Sequence, residues 1–439
     1  MSERFFSKAM RIAVPIALQA MLQSSFSVID QLMVGQLGKT SIAAVEVGGK
    51  PGFVFIFVSG AIATVAGIMV SQYMGKKEPA KINSSMSVNM CVMLALSIVT
   101  AVLCMIFPQQ LASIFTKDSA VIGNAIAYIR TTAMIYPLSG TALILAVHIR
   151  CNNKAEYPLY ISAVSAVMNT ILNYALIFGR FGAPALGVEG AAIASVISQV
   201  VNLLLMIYFY RKLCTFKFNL CLTREDLMQY VFMLMPLAFN EFLWTCGQNV
   251  NTYVYGHMGT SELVAMSLTG PVQSLFMGAM SGLQQAASIL IGRSLGEKDY
   301  DSAYNNAKKF CWYGFAGSCV LSVLLLLAAY PYVGFYNVDS SVKILGAQLL
   351  MAFALLAPIK VQNMIFSGGV IKSGGKTKYV VIIDFIGTWL VGAPLVIFLG
   401  LVVKVPIVWT YVIFSQEELV RFLLTVWLFK RRKWMRTLE

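Results

Sequence analysis

Three carboxylates stand where the chain is otherwise apolar: Asp30, Glu241 and Asp384. Most of the 19 acidic residues fall in polar connections or at segment ends, so these three are set apart. A carboxylate near the centre of a bilayer costs about 2.5–3.5 kcal/mol on insertion scales, so such residues face an interior cavity and mark ion or substrate pathways. The chemistry open to them is to carry a proton or to hold a cation. Two of them, Asp30 and Glu241, have polar company on their own segments. Gln19, Gln23, Ser27 and Asp30 step by four, four and three along one helical face. Ser165, Asn169 and Asn173 step by four along another. Glu241 adjoins a third stripe of Asn240, Trp244, Gln248 and Asn251. Such stripes can glue helices together, but several polar residues ending on a carboxylate favour a wet cavity. Arg130 and Lys360 are also intramembrane and are expected either to snorkel or to pair with the acids. Glu417 and Glu418 precede Arg421 by four and three residues, which suits a structural intrahelical pair.

The segments that must position these residues are membrane helices. The 439 residues are 58% hydrophobic and only 12% charged. Mean hydropathy is +0.74. Apolar runs of about 20 residues, the length that crosses a bilayer core, recur throughout. The N-terminal "MSERFFSKAMRIAVP" reads as an uncleaved first helix, because its apolar stretch is too long for a signal peptide. The net charge of +14 could suggest nucleic acid, but its distribution argues otherwise. Of the 33 Lys and Arg, 24 fall on alternate connections and six on the others. That bias orients a membrane protein with its basic side, and both termini, in the cytoplasm, facing anionic membrane lipids. Two termini on one side require an even helix count, and the expected count is twelve. The eight cysteines form no CxxC, and with His148 and His257 they match no metal spacing. No disulfide framework, metal site or resident cofactor is expected.

The chain repeats itself with a shift of 221. Pro15 matches Pro236, "VGQLG" matches "YGHMG", "GKKEPA" matches "GEKDYD", and Pro137 matches Pro358. After one residue of drift, Arg150, Lys154 and Tyr157 match Lys372, Lys376 and Tyr379. The expected architecture is therefore all-α and polytopic. Two six-helix lobes, 1–209 and 228–439, are joined by a cytoplasmic linker at 210–227. Because six is even, the lobes are parallel repeats about an axis along the membrane normal.

At these residues the chain resembles the multidrug and toxic compound extrusion family, in its bacterial NorM-like and DinF-like form. The resemblance spans nearly the whole chain. It is carried by "VIDQLMVGQLG" at the end of the first helix and by "NTILNYALIFGRFGAPALGVEGAAIAS" across the fifth and sixth. It implies a monomeric antiporter of the bacterial cytoplasmic membrane that exports cationic amphiphiles against protons or sodium. It also implies that Asp30 is the coupling residue, with Asn169, Asn173 and Ser195 around it. Sodium, if it is the ion, would bind Asp30, Asn169 and Asn173. Gln19, Gln23, Ser27, Asn240, Glu241, Trp244, Gln248 and Asp384 are expected to line the substrate cavity. The alternative is a lipid-linked oligosaccharide flippase, which would favour a larger, more basic cavity. Against three carboxylates only Arg130 and Lys360 stand out as basic. An integral membrane enzyme lacks a recognisable nucleophile or acid–base pair. A channel suits the duplication less well than alternating access does, and the absence of a P-loop argues against primary transport.

Overall fold

A computed structural model describes residues 2–219, 223–336 and 338–438. Cys221 lies outside the described residues, as do the side chains of Arg4 and Lys39. The described chain is helical throughout, with no strand. The seven described cysteines are free.

Among the described residues twelve long helical segments follow one another, with a short helix at Pro108–Ser113 between the third and fourth: α1 (Ser2–Gly35), α2 (Thr40–Lys76), α3 (Pro79–Ile106), α4 (Ser119–Thr132 with Ile135–Cys151), α5 (Glu156–Phe178) and α6 (Gly187–Leu213). The second half holds α7 (Arg224–Met258), α8 (Thr260–Gly296), α9 (Tyr300–Gly334), α10 (Ser340–Ile371), α11 (Thr377–Val403) and α12 (Ile407–Phe414 with Glu417–Lys430). Among the described residues nine of these are long and apolar enough to cross a membrane. The bent α4 makes ten if its two pieces form one span. The other two are α7, which carries its own polar stripe, and α12, which is broken into two shorter pieces. Pro15 and Pro236 sit inside α1 and α7, where each removes one backbone hydrogen bond and favours a bend.

The chain forms two compact units. One comprises residues 18–70 and 78–223; the other comprises 1–17, 71–77 and 224–439. The ends of α1 and α2 thus pack with the second half, a departure from a plain division at the linker. Small residues permit it. A Cβ on Gly282 would strike the Ala13 carbonyl, and one on Gly296 would strike that of Gln72.

The first unit has a core of Ala142, Leu145, Ile149, Ile161, Met206 and Tyr210, contributed by α4, α5 and α6. A smaller cluster of Val34, Ile177 and Ala191 closes over the end of α1. In the other unit, π-helical turns interrupt α10 at Met364–Ile371 and α11 at Ile386–Gly392 and Phe398–Val403. Such turns concentrate at functional sites because they redirect side chains locally. Both regions border the charged groups described next.

Candidate functional site

In the first unit, α1 brings Asp30 to α5. Asn173 Nδ2 donates to Asp30 Oδ1 at 2.8 Å. Asn169 lies one turn back, between Asp30 and the serines of α6. With its amide oxygen facing Asp30, Asn169 accepts from Asn173 Nδ2 at 3.1 Å and donates to Ser195 Oγ at 3.4 Å and Ser198 Oγ at 3.3 Å. With the amide turned over, its nitrogen donates to the two Asp30 oxygens at 3.1 and 3.3 Å and its oxygen accepts from Ser198 Oγ at 3.3 Å, while the bond from Asn173 is replaced by two amide nitrogens 3.1 Å apart. A protonated Asp30 can donate to the amide oxygen and suits the first arrangement. An ionised Asp30 only accepts and suits the second. Asn173 Oδ1 is buried and has no hydrogen-bond partner among the described residues.

The same unit uses the other end of the α1 stripe differently. Gln19 is buried, donates to Ser162 Oγ at 2.7 Å and accepts from Arg150 at 2.8 Å. Arg150, expected among the cytoplasmic surface charges, is instead turned inward at the end of α4. Gln23 and Ser27 are exposed and do not share that network. The stripe therefore engages at its ends, Gln19 and Asp30, and not in its middle.

In the second unit, Asn240, Glu241, Trp244, Gln248 and Asp384 line one cavity of about 430 Å³. Asn240 Nδ2 donates to Asp384 Oδ2 at 2.8 Å. Arg421 is shared among three carboxylates, with Asp384 at 3.9 Å, Glu417 at 3.9 Å and Glu418 at 3.6 Å. The spacings within α12 thus form the intrahelical pairs they suggest, and α11 joins them through Asp384. Arg421 also donates to Thr388 Oγ1, and Asn363 Nδ2 donates to Glu418 Oε2 at 2.8 Å. Glycines make room for the cluster: a Cβ on Gly387 would strike Arg421 and one on Gly392 would strike Glu417. Both lie within the π-helical turn Ile386–Gly392 of α11.

The basic residues of this cavity differ from expectation. Arg130 is exposed in the other unit. Lys360, Lys372 and Arg421 all line the cavity. Lys360 donates to the Tyr411 hydroxyl at 3.3 Å and lies 5.3 Å from that ring's centre. Lys372 escaped the sequence reading because it stands one residue beyond α10 and counts there as a loop charge. Ser162 and Ser198 were missed too, although each lies three residues from a flagged serine, one helical turn away. No cluster of three or more His, Cys, Asp or Glu suited to a metal occurs among the described residues.

The MatE family model matches residues 15–175 and again 236–398. The two matches start 221 residues apart, which is the shift of the internal repeat. A protein described as the uncharacterized transporter YisQ of Bacillus subtilis is 23% identical over 429 residues, covering 96% of this chain and 93% of that one. The probable multidrug resistance protein NorM of Rhizobium meliloti is 29% identical over 339 residues, covering 75% and 72%. Among solved structures, a mutant of the Vibrio cholerae MATE transporter VcmN superposes with a TM-score of 0.90 at 15% identity, covering 99% of each chain.

Proposed function

The chain belongs to the MatE family, a family of multi-pass membrane transporters associated with multidrug efflux, and from that premise we propose that it is a secondary antiporter. It exports amphiphilic organic compounds bearing a cationic group and draws energy from an inward ion gradient. We place it in the cytoplasmic membrane with both termini inside, as the distribution of its basic residues suggests. An impermeant label applied to intact cells should therefore spare a tag fused after Glu439.

The observation that carries this reading is the Asp30–Asn173–Asn169 network. A carboxylate met by two amides, each carrying both a donor and an acceptor, is suited to taking up and releasing a proton. Proton binding and release would then alternate two hydrogen-bond patterns between α1 and α6. A second reading, sodium coupling, is favoured by the unpartnered Asn173 Oδ1. That oxygen, with the Asp30 carboxylate and the Asn169 amide oxygen, offers the hard donors an alkali cation takes.

The test is dye efflux in inverted vesicles with proton and sodium gradients imposed separately. The proton reading expects parental efflux when only the proton gradient is present, and that result would exclude obligatory sodium coupling. Gradient-driven efflux persisting at the parental rate in Asp30→Asn would remove Asp30 from the mechanism altogether. The oligosaccharide flippase remains the weaker reading. Three basic residues in the second-unit cavity speak for it, but about 430 Å³ is the size of a drug-like molecule.

A further inference from the structure

The charges lining the second-unit cavity are Glu241, Asp384 and Glu418 against Lys360, Lys372 and Arg421. Four of the six are committed to the wall. Asp384 accepts from Asn240 and pairs with Arg421. Glu418 accepts from Asn363 and pairs with the same guanidinium. Lys360 is held by Tyr411. Two remain, one of each sign. Among the described residues neither the Glu241 carboxylate nor the Lys372 ammonium makes a hydrogen bond or an ion pair, and they do not pair with each other. The two feel each other's charge without forming an ion pair, and partly buried charges are costly unless they face water or a ligand.

The repeat shows how Lys372 comes to be left over. Its counterpart in the first unit is Arg150, which donates to Gln19 at 2.8 Å. The counterpart of Gln19 is Asn240, a shorter amide that is engaged by Asp384 instead. The partner that satisfies the basic residue in one unit is thus occupied elsewhere in the other.

We propose that this cavity selects amphoteric compounds, with the cationic group toward Glu241, an anionic group toward Lys372, and an aromatic body against Trp244. The proposal rests on the export reading given above but concerns ligand selection alone. It changes the expected substrate from a simple cation to a molecule carrying both charges.

The test uses purified protein and a matched pair of probes: a rhodamine with a free carboxylate and its methyl ester, which keeps only the cation. Binding followed by fluorescence polarisation should favour the acid about tenfold, the ratio expected of one charge-assisted hydrogen bond. Lys372→Gln should erase that preference without weakening ester binding, and Lys372→Arg should restore it. The paired reversal Glu241→Lys with Lys372→Glu should keep the preference for the acid that each single reversal loses. Equal affinity of the parental protein for both probes would overturn the proposal, as would an equal loss of both in Lys372→Gln when Lys372→Arg binds normally. Efflux of the ester is scored separately in vesicles. Its failure would count against the export reading, whereas the acid-to-ester binding ratio decides amphoteric selection.

Discussion

The two units build the same cross-helix hydrogen bond and load it differently. In the first, Gln19 on α1 donates to Ser162 on α5 at 2.7 Å. In the second, Asn240 on α7 donates to Asp384 on α11 at 2.8 Å. Asn240 follows Gln19 by 221 residues and Asp384 follows Ser162 by 222, so the contacts are repeat equivalents. The first unit keeps this level neutral apart from Arg150 and places its carboxylate further along α1, at Asp30. There the second unit has Asn251, and opposite it Val391 and Leu395 replace Asn169 and Asn173. One scaffold thus offers two depths for an acid, and each half uses one. The division suggests two tasks: a lone carboxylate among amides for a small ion, and a charged, roomy wall for an organic molecule.

If the tasks are divided in this way, mutations should separate them. The largest effect on transport is expected from Asp30→Asn, which should reduce gradient-driven efflux to the level of cells lacking the protein. Its thermal unfolding in detergent and its rhodamine binding should stay parental. Loss of probe binding in that variant would merge the two sites and undo the comparison. Arg421→Met should act in the opposite sense. It leaves Asp384, Glu417 and Glu418 without their shared cation, and breaking a buried ion network by removing one partner typically costs about 3–5 kcal/mol. A lowered thermal midpoint with residual efflux per folded molecule is the expected outcome; an unchanged midpoint would show that the carboxylates do not need the guanidinium.

The smallest effect contrasts two equivalent helix starts. Asp299 caps α9, and its Oδ1 accepts from the Ser302 amide at 3.0 Å. Glu78, its counterpart before α3, makes no such side-chain bond. The hydroxyl of Ser302, and then its amide, hold the Asp299 carboxyl below the usual aspartate range. A depressed carboxyl contributes stability that is present above the unfolded pKa and lost as pH falls through the folded one. Asp299→Ala should therefore cost up to about 1 kcal/mol near neutrality and nothing in strong acid. Glu78→Ala should be silent at both, within about 0.5 kcal/mol. Unfolding at two pH values reads both changes.

The plan of the chain was legible because it is written in long-range regularities. Apolar run lengths and a repeat shift are properties of dozens of residues, and local exceptions do not disturb them. Asp30, Asn169 and Asn173 were legible because helical spacing places each on a polar face and a carboxylate stands out in an apolar run. What escaped depends on directions that spacing does not encode. Lys372 counts as a surface lysine until the π-helical turn before it is known to border the cavity. Arg150 looks like a loop charge until α4 is seen to turn it onto Gln19. Gln23 and Ser27 share a face with Asp30, yet nothing in their spacing says that no other helix covers them. The placing of residues 1–17 and 71–77 with the second half follows from backbone approaches at glycines, which no periodicity announces.

One of those borrowed segments has a consequence for the order of assembly. Gln72, near the end of α2, donates to the carbonyls of Ser373 at 2.6 Å and Arg436 at 3.3 Å and accepts from the Leu438 amide at 2.8 Å. Its partners lie 301, 364 and 366 residues downstream. Trp434 and Leu438 are buried beside it, and Thr437 donates to the Leu295 carbonyl at 2.7 Å. A ribosome working at about 5–20 residues per second releases those partners only after 301 to 366 further residues have been made. Until then Gln72 has an amide to satisfy and none of these groups to satisfy it. Residues 434–438 act as the clasp for a helix translated more than 300 residues earlier, so a nascent chain cut short before them would carry that unmet amide as a visible mark of incompleteness.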